Sequence, residues 1–186
     1  MSDVTDEELV RQFQEEHGRG RQQAFARLFS RHAGKLRGYL RKVTGDHETA
    51  DDLTQQAFMR ALDGLDHFEG RSSFKNWLYK IATNLWKDRL KKKRPSSGIE
   101  DYEKLEERTP DELVEKEERN RRVYEAVQEL PEKWRAPLML VRFEDMQYKE
   151  AASILDITTD AVRMRVHRAH KALRHALEDT AFYEKR

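Results

Sequence analysis

Apolar residues along the 186-residue chain recur at helical spacing, and sustained apolar–polar alternation is absent, so strands have little support. Phe25, Leu28, Phe29, Leu36, Tyr39 and Leu40 fall three, four and seven apart, an amphipathic stripe that the Thr44-Gly45-Asp46 turn signal closes. Ala50, Leu53, Ala57, Ala61 and Leu65 mark a second helix, ended by the polar stretch from Asp66 to Ser73. Phe74, Trp77, Leu78, Ile81, Leu85 and Trp86 predict a third, running into the basic residues before Pro95. A short helix over Glu7 to Phe13 is expected ahead of these.

The pattern then breaks. Pro95-Ser96-Ser97-Gly98 leads into a highly charged stretch with scattered apolar residues, the composition of a solvated tether that cannot bury a core. A new helix is expected from Pro110-Asp111, with Leu113, Val123, Tyr124, Val127 and Leu130 as its apolar positions and Pro131 at its end. Further helices follow over Lys133 to Phe143, Tyr148 to Leu155 and about Thr159 to Leu177. The prediction is an all-α chain of two small helical domains, 1–94 and 112–180, joined by a flexible charged linker over 95–111 and followed by a tail over 181–186.

Composition agrees with thin helical bundles: 37% of residues are hydrophobic and 38% charged, too little apolar material for one thick α/β core. The 36 Lys and Arg nearly cancel the 35 Asp and Glu, yet the charges are segregated. Basic residues cluster at Lys87 to Arg94 and Arg163 to Arg174, and acidic ones fill Glu100 to Glu118, so local fields are strong although the sum is near zero. With 0 Cys there is neither a disulfide framework nor a thiolate metal site. The acidic start MSDVTDEELV is unlike a signal peptide and no apolar run approaches a membrane span, so a cytoplasmic location without membrane insertion is expected.

The last third has the spacing of a helix-turn-helix. Tyr148, Ala151, Ala152 and Leu155 line one short helix, Asp156 to Thr158 form a turn, and Val162, Val166, Ala169 and Leu173 line the next. Thr158 or Thr159 suits its N-cap, and small Ala151 and Ala152 would let the helices cross closely. The polar face of the second helix carries Arg163, Arg165, His167, Arg168, Lys171 and Arg174. Such a helix fits a major groove, where arginine donates two hydrogen bonds to a guanine edge while other cations hold phosphates. The plainer alternative is a solvated cationic face. His167 and His170 stand three apart, but without a third ligand they do not read as a metal site.

In the first half, FEGRSSFKNWLYKIATNLWKDRLKKKR joins a Gly/Ser loop, several aromatics and a basic helix end, a combination that suits unstacked bases and a phosphate backbone. Trp77 and Ile81 read as core, whereas Phe68, the loop and Asn84 are better candidates for contact. Asp52, Gln55, Gln56, Met59 and Arg60 leave a mixed exposed face on the preceding helix that could hold a protein partner.

From about Phe25 to Leu177 the two halves together resemble bacterial sigma-70 family factors of the extracytoplasmic-function group. ETADDLTQQAFMRAL resembles that group's second-region helix, FEGRSSFKNWLYKIATNLWKDRLKKK its promoter-melting segment, and LPEKWRAPLMLVRFEDMQYKEAASILDITTDAVRMRVHRAHKALRHAL its region four. The resemblance implies that Asp52, Gln55, Gln56, Phe58 and Met59 meet core RNA polymerase at the β′ clamp helices, with the β flap as a further contact. Phe68, Gly70, Arg71, Ser72 and Ser73 would capture a flipped base of the −10 element, and Asn84, Lys87 and Arg89 would act in melting. Thr159, Asp160, Arg163, Met164, Arg165, His167, Arg168 and Lys171 would face the −35 element.

The chain departs from the group at Thr158-Thr159-Asp160-Ala161, where Pro-x-Gly-Thr is common, at Asp145, where Gly is usual, and at Gln147, where a Ser or Thr N-cap is usual. The last two predict a hairpin less well capped by about 1 kcal/mol. Promoter DNA and an anti-sigma protein are the further partners implied. No catalytic residue, metal, cofactor or small-molecule substrate is expected, since no P-loop and no HExxH motif is present. The competing reading is a dimeric helix-turn-helix regulator that binds duplex operators without being a polymerase subunit.

Overall fold

The computed structural model describes residues 4–93 and 112–183, with side chains for 4–92 and 121–177. The expected tether over 95–111 and the last residues of the expected tail, 184–186, lie outside the described residues. Among the described residues there are eight α-helices, one 3-10 turn and no strand. They are α1 (Asp6–Glu15), α2 (Arg19–Thr44), α3 (His47–Gly64), the 3-10 turn Leu65–His67, α4 (Phe74–Lys93), α5 (Glu112–Glu129), α6 (Glu132–Arg142), α7 (Tyr148–Leu155) and α8 (Thr159–Tyr183). The last helix runs on past Leu177 and takes in residues 181–183 of the expected tail. Two compact units result, one built on α1 to α4 and the other on α5, α6, α8 and the start of α7.

In the first unit α1 begins with a reciprocal cap: the Glu8 N–H donates to Thr5 Oγ1 at 3.2 Å and the Thr5 N–H to Glu8 Oε2 at 2.7 Å. Asp6 then ties this helix to α2, accepting from Arg31 at 2.7 Å and from the buried His32 Nε2 at 2.6 Å. Gly45 closes α2 with φ +74°, the left-handed conformation that suits glycine at a helix end, and Asp46 caps α3 by accepting from the Thr49 N–H at 2.8 Å. Leu9, Phe13, Leu28, Leu36, Tyr39, Leu53, Leu65, Phe74, Leu78 and Tyr79 are buried between the helices. The Tyr39 hydroxyl, buried with them, is matched by Thr83 Oγ1 at 3.1 Å. The apolar stripe of α4 is turned from its expected position: Leu78, Tyr79 and Ala82 are buried, while Trp77 and Ile81 are only half-buried.

The second unit is held around Arg135, which is 9% exposed. Its guanidinium donates to the carbonyls of Gln128 and Leu130 and to Gln128 Oε1, closing the C-terminal end of α5 where carbonyls lack helical partners. Burial holds this guanidinium below its ordinary pKa. Close packing is between α6 and α8 and between α5 and α8, and Ala151 and Ala152 of α7 are buried. Gln147 is better served than its side chain suggests, because Glu150 Oε2 reaches back to its N–H at 2.8 Å, one arm of a capping box.

Asp145 has φ +53° where the Met146 N–H closes onto the Leu140 carbonyl at 3.1 Å, a left-handed helix end occupied by a residue with a Cβ. Asp145→Gly is expected to raise stability by about 0.5–1 kcal/mol, read from urea unfolding of the full chain. An unchanged or lowered midpoint would argue against strain at this position.

Candidate nucleic-acid interface

The loop between α3 and α4 is braced from α1 and the start of α2. Gln14 Nε2 donates to the carbonyls of Leu65 at 2.9 Å and Phe68 at 3.0 Å. Arg21 grips Asp66 with two hydrogen bonds of 2.6 Å each and lies 3.8 Å from the centroid of the Phe13 ring. That bidentate contact holds the Asp66 carboxyl below its ordinary pKa. Phe68 stacks on Trp77 with ring centroids 4.8 Å apart, which is why Trp77 faces this loop instead of the core. Gly70 carries φ +69°, Arg71 pairs with Glu69 at 2.5 Å, and Ser73 caps α4 by accepting from the Asn76 N–H at 3.2 Å. Ser73 therefore shapes the loop through its cap, while Arg71 and Ser72 are exposed. Between α1 and this loop lies a cavity of about 400 Å³ lined by Glu7, Val10, Arg11, Gln14, Phe68, Glu69, Gly70, Ser72 and Phe74.

Further along α4, Asn84 and Lys87 are half-buried. Arg89 is committed elsewhere: its guanidinium meets Asp52 of α3 at 2.8 Å, and Asp52 also accepts from Gln56 at 2.9 Å. Two residues assigned by sequence to different partners thus hold each other.

On the other side of α3 an open groove of about 500 Å³ runs between α2 and α3. Phe29, Met59 and Leu62 line it and are 46%, 59% and 41% exposed, a concentration of large apolar surface at odds with a solvated face. Arg37 and Asp51 close one rim in a bidentate pair, with Arg37 NH2 at 2.5 Å from Asp51 Oδ2, and this contact lowers the Asp51 pKa. Gln55 is exposed on the groove. Phe58 needs correcting as a surface contact: at 3% exposed it is a core residue, packed at 4.7 Å on Phe29 and 6.3 Å on Phe25, and it forms the groove's floor. Sequence reasoning passed over Phe29, Leu62 and the Arg37–Asp51 pair. The residue pattern carried no signal for Phe29, because neighbours about 100° apart on a helix can share one core, as Leu78 and Tyr79 of α4 do.

In the second unit Thr158 is the N-cap of α8, its Oγ1 accepting from the Ala161 N–H at 3.1 Å. Val162, Val166 and Ala169 are buried, which turns Arg163, Met164, His167, Arg168 and Lys171 outward and leaves Arg165 half-buried. Arg163 lies 3.0 Å from Asp160 and 5.8 Å from the centroid of the Tyr148 ring, so the unusual acid in the first turn orients the first arginine of the cationic face. His170 is half-buried; burial first, then the charges of Arg142, His167 and Arg174, push its pKa below the ordinary imidazole value. Among the described residues no group of His, Asp and Glu is disposed to hold a metal ion, and no helix is long and apolar enough to cross a membrane.

A helical unit with an aromatic, loop-braced cavity and a second unit presenting a cationic helix after a tight turn define a two-part nucleic-acid-binding protein. Residues 28–95 match Sigma-70 region 2 and residues 120–173 match Sigma-70, region 4. The ECF RNA polymerase sigma factor SigW of Bacillus subtilis (strain 168) is 31% identical over 173 residues, 87% of this chain and 92% of that one. The RNA polymerase sigma-H factor of Pseudomonas aeruginosa is 32% identical over 190 residues, 96% of each. The chain belongs to the extracytoplasmic-function RNA polymerase sigma factors and directs transcription as an alternative sigma factor. That assignment does not favour the dimeric-regulator reading. The sigma factor RpoE of Bartonella quintana, solved in complex with the anti-sigma factor NepR, has a like fold, with a TM-score of 0.68 and 23% identity over 83% of this chain and 96% of that one.

Proposed function

We propose a division of labour among three surfaces, with domains over 1–94 and 112–180. The groove between α2 and α3, with Met59, Gln55 and their neighbours, docks on the β′ clamp helices of core RNA polymerase. The loop from Phe68 to Ser73 captures a displaced base of the −10 element, with Asn84 and Lys87 of α4 assisting melting. The outward face of α8, chiefly Arg163, Arg165, Arg168 and Lys171, reads the −35 element and its phosphates. The observation that carries this reading is the combination of an apolar groove and an aromatic loop cavity in one unit with a cationic, capped helix in the other.

Melting follows from mass action: binding a base that has left the stack offsets the few kcal/mol needed to unstack it, and tethering two readers raises their effective concentration on one promoter. No covalent chemistry is involved, and the protein acts in the cytoplasm. An anti-sigma protein that covers these surfaces holds it inactive, in keeping with the partner of the Bartonella quintana factor.

Two substitutions test the division. In holoenzyme assembled with core polymerase, Arg168→Ala is expected to weaken binding of an upstream promoter fragment about tenfold, while Asn84→Ala leaves that binding intact and lowers the yield of open complex seen by permanganate footprinting. Equal loss of both activities in both variants would contradict the assignment.

A further inference from the structure

The cavity beside the −10 loop has a second wall that the sequence did not mark. Glu7, Arg11 and Gln14 stand four and three apart on one face of α1, opposite Phe68, Gly70 and Ser72. Gln14 is committed to the Leu65 and Phe68 carbonyls. Glu7 and Arg11 are exposed and have no hydrogen-bond or ion-pair partner among the described residues. An acceptor and a forked donor therefore face an aromatic-walled space of about 400 Å³, within the range of small-ligand sites.

We propose that Glu7 and Arg11 are the specificity wall of this cavity and select a captured base bearing an exocyclic amino group, so that of the two pyrimidines cytosine is admitted and thymine refused. This rests on the base-capture role of the loop proposed above. The chemistry is that of the Watson–Crick edge. Cytosine presents an amino donor at position 4, which the Glu7 carboxylate accepts, and acceptors at N3 and O2, which match the Arg11 fork. Thymine turns a carbonyl oxygen toward the carboxylate, leaving two acceptors face to face with no hydrogen to share. Phe68 and Phe74 supply the apolar walls, and the Gln14 and Arg21 contacts fix the loop at its distance from α1. Glu7 also lies in the first turn of α1, where a carboxylate complements the helix dipole. That role alone predicts no dependence on base identity.

The test uses holoenzyme and a set of fluorescent single-stranded oligonucleotides carrying the non-template −10 sequence, with cytosine or thymine placed at each position in turn. The wild type should prefer cytosine about tenfold at one position. Glu7→Gln should bring that ratio to within about twofold by raising thymine affinity, because an amide both donates and accepts; a gain for thymine cannot come from a damaged fold. Arg11→Ala should weaken cytosine binding about tenfold and leave thymine unchanged. If Glu7→Gln keeps the wild-type ratio at the discriminating position, the proposal is overturned while base capture by the loop stands. If the wild type binds the strand without preference at any position, base capture and the specificity wall fall together.

Discussion

Met59→Asp should lower the affinity for core RNA polymerase about a hundredfold while leaving the melting temperature of the free protein unchanged. Met59 is 59% exposed beside Phe29 and Leu62, so an aspartate there is solvated when the chain is alone and costs the first unit little. In a complex the same carboxylate would sit in an apolar groove with no cation placed to receive it, since Arg37 is already engaged with Asp51. Desolvating an unpaired charge costs several kcal/mol, and each ~1.4 kcal/mol is a factor of ten in affinity. Anisotropy titration of labelled protein with core enzyme measures it. Affinity within about threefold of wild type would move the docking surface away from this groove, whereas a collapse in thermal stability would mean that Met59 belongs to the core.

Arg135→Met should destabilise the second unit by about 2–3 kcal/mol and the first hardly at all. The guanidinium is buried and spans the carbonyls of Gln128 and Leu130, so methionine fills much of the volume but leaves those acceptors without a donor at the end of α5. Hydrogen bonds to a charged donor contribute about 1.5–3 kcal/mol, and the loss is felt most where water cannot substitute. Amide hydrogen exchange resolves the two units: α6 and α8 should lose protection while α2 and α3 keep theirs. Unchanged protection in α6 would mean that the α5 carbonyls find other donors, and a loss in both units would mean that they do not unfold independently.

The helices themselves were legible in the residue pattern, because helical periodicity and local stop signals are properties of neighbouring residues. Gly45 ends α2 and Asp46 caps α3 where the Thr44-Gly45-Asp46 signal indicates, and Tyr148–Leu155 has the span read from its apolar spacing. The orientation of each helix was less legible. Trp77 and Phe29 carry the same hydrophobic signal as Leu78 and Leu28, yet one of each pair is core and the other lines a cavity or groove. A stripe wider than one face has an ambiguous centre, and only the partner helix decides which edge it covers. Arg135 shows the converse. In the sequence it is one charge among the apolar residues of Glu132–Arg142, and its burial is matched by the end of α5 arriving with carbonyls that need a donor.

The cationic face of α8 was determined by the sequence alone, since burying Val162, Val166 and Ala169 forces Arg163, Arg168 and Lys171 outward whatever lies beneath. The Asp160–Arg163 contact is equally local, three residues apart on one helix. The loop cavity was decided only by tertiary structure. Its two walls come from α1 and from the segment after α3, and they meet because Gln14 and Arg21 reach more than forty residues along the chain to Leu65, Phe68 and Asp66. Periodicity reports which face of a helix is apolar, but not which distant backbone a polar side chain will hold. That is why Glu7 and Arg11 were silent in the sequence and become the most informative uncommitted charges once the first unit is folded.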